Sequence, residues 1–200
     1  MPIVKSKVKL SRSLGIALVP KAAKGLERRP DPPGQHGKRR RTAKKSDYGQ
    51  QLLEKQRLRH QYFLGERQLR NYVARAVAKT GNTADHLITA LETRLDTIVL
   101  RAGFARTIYQ ARQFVTHGHV LVNNKRVNFP SATVNVGDKV SLRESSRTMD
   151  PVQLAIATTE IPPYVVRNDA EFEAELTRLP TREEIPVICE LSSVVEFYAK

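Results

Sequence analysis

The 200-residue sequence predicts an α+β protein: an extended basic N-terminal arm, a small helical domain, and a module of two helices packed on a small twisted sheet. Three observations predict it. Residues 1–45 show no sustained helical or strand period, and they concentrate Pro and Gly in Arg28-Arg29-Pro30-Asp31-Pro32-Pro33-Gly34-Gln35-His36-Gly37. From Asp47 to Gly103, apolar residues recur mainly at helical intervals. After Gly118, short Val- and Leu-containing runs divided by turn residues replace that period.

The helical domain is expected over 46–93. Ser46 or Asp47 supplies an N-cap, Gln50 follows Asp47 by three, and Leu52, Leu53, Leu58 and Tyr62 repeat at helical spacing, which predicts a helix over 47–63. Gly65 interrupts it. Leu69, Tyr72, Val73, Ala76 and Val77 then form a second apolar stripe, stopped by Gly81, with Arg67, Arg70, Arg75 and Lys79 on the complementary side. Burying the stripe displays the basic face. A third helix begins near Thr83, with Asp85 in its first turn and Leu87, Ile88, Leu91 and Leu95 aligned. A last short helix over 192–198, within a C-terminal segment 187–200, joins this domain.

The module is expected over 94–186, with its core at 94–156. Leu95, Ile98 and Val99 carry a helix to Gly103, and Thr107 with Gln110 forms a capping box for the next, which buries Ile108, Ala111, Phe114 and Val115. Gly118 ends it. Val120 to Val122, the turn Asn123-Asn124 and Lys125 to Val127 read as a hairpin. Ala132 to Val136 and Lys139 to Leu142 read as a second strand pair about Gly137-Asp138. Residues 151–186, with Pro162-Pro163 and the acidic run Asp169 to Glu175, read as an irregular extension. No repeat at solenoid periods is present.

Composition removes several classes of function. Charged residues interrupt every apolar run well short of the roughly eighteen residues a spanning helix needs, so no membrane role is expected. Met1 to Leu10 contain no apolar signal core. An organelle transit peptide fits the acid-poor start less well than a permanent basic arm does, because the basic character continues far beyond a cleavable length. The lone Cys189 can make neither an internal disulfide nor a cysteine cage, which points to a reducing compartment. No Gly-x-Ser-x-Gly elbow, phosphate loop or dinucleotide fingerprint occurs. His117 and His119 lack a third and fourth ligand nearby, and Glu183-Glu184 lacks a pocket. No catalysis, metal or cofactor is expected.

The formal charge is +14, and its distribution is uneven. Residues 1–70 hold 19 Lys and Arg against 5 Asp and Glu, whereas residues 71–200 hold 15 of each. Within that balanced remainder, residues 94–143 hold 8 basic and 2 acidic residues, and residues 144–200 hold 5 basic and 11 acidic. A basic arm, a basic middle and an acidic end favour a polyanionic partner, since each phosphate neutralised by Lys or Arg releases condensed counterions. The arm lacks the apolar face of an interfacial membrane helix, which leaves nucleic acid.

Within the module, Arg106, Arg112 and Gln113 on a helix, with His117, His119, Lys125 and Arg126 on the following turn and strands, make a candidate RNA-reading surface. Guanidinium groups grip phosphates, while Gln and His reach 2′-hydroxyls and base edges. The bland alternative is ordinary surface solubility, with Lys125 and Arg126 as plain turn residues.

Arg94-Leu95-Asp96, Gly103-Phe104-Ala105, Gln110-Ala111-Arg112-Gln113-Phe114-Val115, His117-Gly118-His119 and Val122-Asn123-Asn124-Lys125-Arg126-Val127 resemble the RNA-binding module named after the small-subunit ribosomal protein four family. More specific to that family are Pro32-Pro33-Gly34-Gln35-His36-Gly37, Ser46-Asp47-Tyr48-Gly49, Leu53-Glu54-Lys55-Gln56-Arg57, Glu66-Arg67-Gln68-Leu69-Arg70-Asn71-Tyr72 and Val195-Glu196-Phe197-Tyr198. The match runs from about residue 28 to the C-terminus and is weakest over Met1 to Glu27.

The resemblance, to the bacterial, zinc-free form, implies a structural component of the cytoplasmic small ribosomal subunit. Such a protein binds small-subunit ribosomal RNA at a multi-helix junction and nucleates the subunit body. It lines the tunnel through which messenger RNA enters, contacts small-subunit ribosomal proteins five and three, and contributes to translational accuracy. Carried over by position, Gln35, His36 and the run Lys38, Arg39, Arg40, Arg41, Lys44 and Lys45 meet RNA near the tunnel. Tyr48, Arg57, Arg67 and Arg70 face the junction. Arg28, Arg29 and Arg59 join them as basic candidates. Some relatives hold zinc through four arm cysteines; the arm has none, so zinc is not implied.

Two alternatives remain open at this point. Arg94-Leu95-Asp96-Thr97 resembles superficially the Arg-Leu-Asp motif of pseudouridine synthases, but it opens the module rather than sitting in a catalytic domain, and Asp96 reads more simply as a helix-terminus or ion-pair residue. A free-standing RNA-binding regulatory factor is the other, and the long basic arm argues against it.

Overall fold

A computed structural model describes residues 6–38 and 45–199. The chain folds as two units, residues 1–84 with 187–200 and residues 85–186.

The first unit opens with a departure from the sequence expectation: two helices stand where extended chain was expected. Helix α1 (Lys7–Leu14) ends at Gly15, whose φ of 70° lets its N–H return to the Ser11 carbonyl. Helix α2 (Pro20–Arg28) begins with proline, whose missing N–H costs nothing at a helix start. The two pack closely, and a Cβ on Gly25 would lie 3.0 Å from Val8 Cγ1. Both are shorter than the roughly twelve residues at which an isolated helix becomes marginally stable, so packing of Leu14, Ile16 and Ala22 stabilises them rather than any strong local period. Arg12 Nε, donating to the carbonyls of Arg29 and Asp31 at 3.1 and 3.0 Å, ties down the Pro-rich segment that follows.

Helix α3 (Asp47–Gln61) starts where its cap residues place it, with Ser46 Oγ accepting from the Gly49 N–H. Tyr62 and Leu64 are buried behind it, and the Leu64 N–H bonds to the Arg59 carbonyl at 2.9 Å. Helix α4 (Glu66–Val77) is capped by Gln68 Oε1, which accepts from the Gly65 N–H, and it buries Leu69, Val73 and Ala76. The apolar stripe expected there is the buried face, except that Val77 is 59% exposed. The C-terminal segment runs antiparallel along α3: Gln61 exchanges two hydrogen bonds with the backbone of Ile188, Glu54 accepts from the Glu190 N–H, and Gln51 donates to Glu196.

Helix α5 (Thr83–Glu92) crosses from one unit to the other along the chain. The second unit continues with α6 (Leu95–Arg101) and α7 (Ile108–Thr116), which pack on each other. Strands β1 (Val120–Val122) and β2 (Lys125–Arg126) form the expected hairpin. Asn123 and Asn124 both adopt positive φ, 48° and 61°, the geometry that a two-residue primed turn requires. Strand β3 (Lys139–Leu142) does not pair with residues 132–136, as the sequence suggested. It pairs with β1 on one side and β5 on the other. The 132–134 segment instead lies against the start of α6, with Leu95 N–H bonded to the Ala132 carbonyl and Val134 N–H to the Thr93 carbonyl, both at 2.8 Å.

The extension is also more regular than expected. After the short helix α8 (Glu144–Arg147) comes α9 (Asp150–Thr158), then strands β4 (Val165–Asn168) and β5 (Glu173–Leu176), completing an antiparallel five-stranded sheet in the order β2-β1-β3-β5-β4. Part of the acidic run is therefore a strand with an ordinary two-residue alternation: Ala174 and Leu176 are buried, Glu173 and Glu175 half-exposed. The core gathers Leu95, Val99 and Phe104 with Phe114, Val120, Val140 and Leu176. At its edge the buried Glu92 carboxylate accepts two bonds from Arg101, at 2.9 and 2.7 Å, and one from the Tyr164 hydroxyl at 2.9 Å.

Candidate nucleic-acid interface

Within the second unit the candidate surface is built from a buried charge outward. Arg94 and Asp96, at 1% and 0% exposure, form a bidentate pair through bonds of 3.0 and 2.7 Å. Both carboxylate oxygens are thus occupied, and Asp96 is the ion-pair residue the sequence suggested, not an accessible catalytic acid. The half-buried Arg112 is close enough for its charge to act on both.

Thr107 Oγ1 caps α7 by accepting from the Gln110 N–H, while Gln110 Oε1 accepts from the Arg106 N–H, one residue before the partner expected of a standard box. The helix start, including the backbone of Arg106, is thereby ordered. The helix end is set by Gly118 at φ 75°, and a Cβ there would fall 2.2 Å from Arg126 Nε. The Arg126 guanidinium therefore lies against the His117-Gly118-His119 turn. His119 is partly covered: its ring meets Phe114 edge-on at 5.7 Å and its Nδ1 lies 2.8 Å from Ser146 Oγ. Burial lowers the His119 pKa from the ordinary histidine value, and the charges of His117, Arg143 and Arg126 lower it further.

Arg106, just before α7, Gln113 on it, His117 in the turn that ends it, and Lys125 and Arg126 on the hairpin are all exposed. Arg143 belongs with them and was missed from sequence. Its N–H bonds to the His119 carbonyl at 2.9 Å, next to the turn, and the only advance signal was its place at the end of the basic stretch 94–143. Exposed guanidinium, ammonium, imidazole and amide groups of this kind suit phosphate and 2′-hydroxyl contacts.

In the first unit Arg67 and Arg70 are exposed on α4, as the complementary-face argument requires. Tyr48 is 58% exposed, with its ring 5.6 Å from that of Phe197. Arg28, Arg29, Gln35, His36, Lys38 and Lys45 are exposed, whereas Arg39, Arg40, Arg41 and Lys44 lie outside the described residues. Two sequence candidates are engaged within the protein. Arg57 donates to the Leu14 carbonyl at 2.9 Å and to Glu54 at 2.7 Å, and Arg59 donates to the Leu64 carbonyl, Gln56 and Glu66. Among the described residues no group of three His, Cys, Asp or Glu is placed to hold a metal ion, and no helix is long and apolar enough to cross a membrane.

Residues 3–92 match the model of the ribosomal protein S4/S9 N-terminal domain, and residues 93–140 match that of the S4 domain. Among similar proteins, the small ribosomal subunit protein uS4 of Micrococcus luteus is 50% identical over 199 residues, covering 96% of this chain and 95% of the relative. Those of Streptomyces griseus and Arthrobacter sp. are 50% and 51% identical over 199 residues, covering 97% and 96% of this chain and 97% and 95% of their own. The two domain models abut with no gap, and the relatives align across nearly their whole length, so this chain belongs to the uS4 family of small ribosomal subunit proteins.

Proposed function

We propose that this protein is a structural, non-catalytic component of the small ribosomal subunit, working in translation in the cytoplasm, and that it binds small-subunit ribosomal RNA through two basic faces. One is Arg67 and Arg70 on α4. The other is the α7 corner of Arg106, Arg112, Gln113, His117, Lys125, Arg126 and Arg143. The observation that carries the reading is the second face: exposed cations held on a helix, a glycine turn and a hairpin, braced by a buried ion pair.

The finer reading is that binding occurs early and nucleates the body of the subunit. Gln35, His36 and the basic run from Lys38 to Lys45 contact RNA near the tunnel for messenger RNA, and small-subunit ribosomal proteins five and three are neighbours, the former at an interface that influences decoding accuracy. Kinship with small ribosomal subunit proteins and the charge segregation support assembly into the subunit. The resemblance supports the rest.

The test is a titration of small-subunit ribosomal RNA across a salt series. Affinity falls steeply with salt, and Arg67→Ala with Arg70→Ala weakens it while the fold is retained. Equal binding to unrelated RNA at physiological salt would sink the assignment. Co-sedimentation of the endogenous protein with the small subunit after a high-salt wash is the direct check of its place there.

A further inference from the structure

Glu66 is the first residue of α4, immediately before Arg67, and its carboxylate gathers three donors, two from α3 and one from the C-terminal helix. Lys55 Nζ on α3 lies at 2.9 Å, Arg59 Nη1 at 3.4 Å, and the Tyr198 hydroxyl, on the C-terminal helix (α10, Leu191–Ala199), at 2.7 Å. Lys55 is only 6% exposed, and its ammonium group sits 4.4 Å above the Phe197 ring. The preceding residue, Glu196, accepts from Gln51 Nε2 at 2.9 Å, one turn before Lys55 on α3. Three consecutive C-terminal side chains thus engage α3 and the start of α4.

We propose that Tyr198 and Glu66 form a latch by which the C-terminal helix sets the first turn of α4, making both positioning residues for the RNA-facing pair Arg67 and Arg70. This rests on the reading that α4 faces RNA. A carboxylate at a helix N-terminus is favoured by the exposed N–H groups there, so Glu66 is already held by its own helix. The Tyr198 bond then links that helix start to the far end of the sequence. The phenol is a donor at neutral pH, and burial, then the hydrogen bond to Glu66 and its charge, raise its pKa further. The Arg70 charge also acts on Tyr198. A chain lacking its last residues would retain every arginine of this face and lose the constraint on two of them.

The discriminating experiment uses the full chain and measures RNA affinity, its salt dependence and amide hydrogen exchange at residues 66–70. Tyr198→Phe removes one hydroxyl and preserves the ring; Glu66→Gln removes the charge. Both are expected to keep the circular dichroism of the parent and to bind small-subunit ribosomal RNA about three- to tenfold more weakly, the range expected from loss of one such hydrogen bond. Exchange at 66–70 quickens, and the salt slope stays unchanged because no phosphate contact is removed. The Arg67→Ala, Arg70→Ala double variant instead lowers the slope. Parent-like affinity for Tyr198→Phe overturns the latch, even if Glu66→Gln misfolds. Parent-like affinity and slope for the arginine double variant overturn the reading of α4 itself, and the latch with it.

Discussion

At Gly118 one hydrogen atom decides the geometry of the turn. Its φ of 75° lies in the left-handed region that costs other residues about 1 kcal/mol, and a Cβ would collide with the Arg126 guanidinium. Gly118→Ala should therefore lower stability by about 1 kcal/mol in urea unfolding and also weaken RNA binding, because Arg126 must swing away from the turn. A variant that loses stability with unchanged affinity would remove Arg126 from the contact surface. Asp96→Ala tests the opposite kind of residue. It strips the bidentate partner from a guanidinium at 1% exposure, and breaking a buried pair of this kind costs about 3–5 kcal/mol in chemical denaturation. The role of Asp96 was legible because Arg94 precedes it by two residues at a helix start. The engagement of Arg57 and Arg59 was not, because a charge pattern cannot say whether a guanidinium faces a phosphate or a neighbouring carbonyl.

Elements were legible where they carry their own stop and start signals. Ser46 and Thr107 open α3 and α7 with side-chain caps, Gly65 opens α4 by donating its N–H to Gln68, and Gly118 closes α7 at a positive φ. Helices α1 and α2 were hidden because basic residues crowd short segments whose apolar contacts are few. Strand β5 was hidden because Glu and Ala are poor strand formers, although the alternation was present. The 132–136 run has strand-like residues but meets the start of α6 instead of β3. The α3–α4–α10 junction also predicts an acid response. Burial alone raises the Glu66 pKa, but the bonds from Tyr198 and Lys55, with the charges of Lys55 and Arg59, bring the net shift below the ordinary carboxylate value. Glu184, bonded by Arg178 and by the Thr181 N–H, is held at about 2. A carboxylate with a lowered folded pKa contributes stability above its unfolded pKa and loses it as pH falls through the folded value. Thermal unfolding followed from neutral pH downward should show a shallower acid decline for Glu66→Gln than for the parent. An identical decline would mean that Glu66 does not contribute there.

For the molecule as a whole, position matters more than the total charge of +14. Residues 1–70 carry an excess of basic residues equal to the entire net charge, and residues 94–143 carry a smaller one. Each folded unit has its own exposed cations. The acidic end is partly accounted for inside the protein, where Glu173 on β5 pairs with Lys139 on β3 at 2.8 Å and Glu184 pairs with Arg178. This arrangement makes a quantitative forecast, because each phosphate neutralised contributes a slope of about 0.7–0.9 to the fall of log affinity with log salt. Replacing Lys38, Arg39, Arg40 and Arg41 together by Gln should reduce the slope by roughly 3 if all four meet phosphates. Glu171→Gln with Glu183→Gln, at exposed acidic positions, should leave it unchanged. The measurement is the dissociation constant for small-subunit ribosomal RNA over a salt series for parent and both variants. Equal slopes for all three would mean that these four cations contact no phosphate, leaving the remaining basic residues to account for the whole salt dependence.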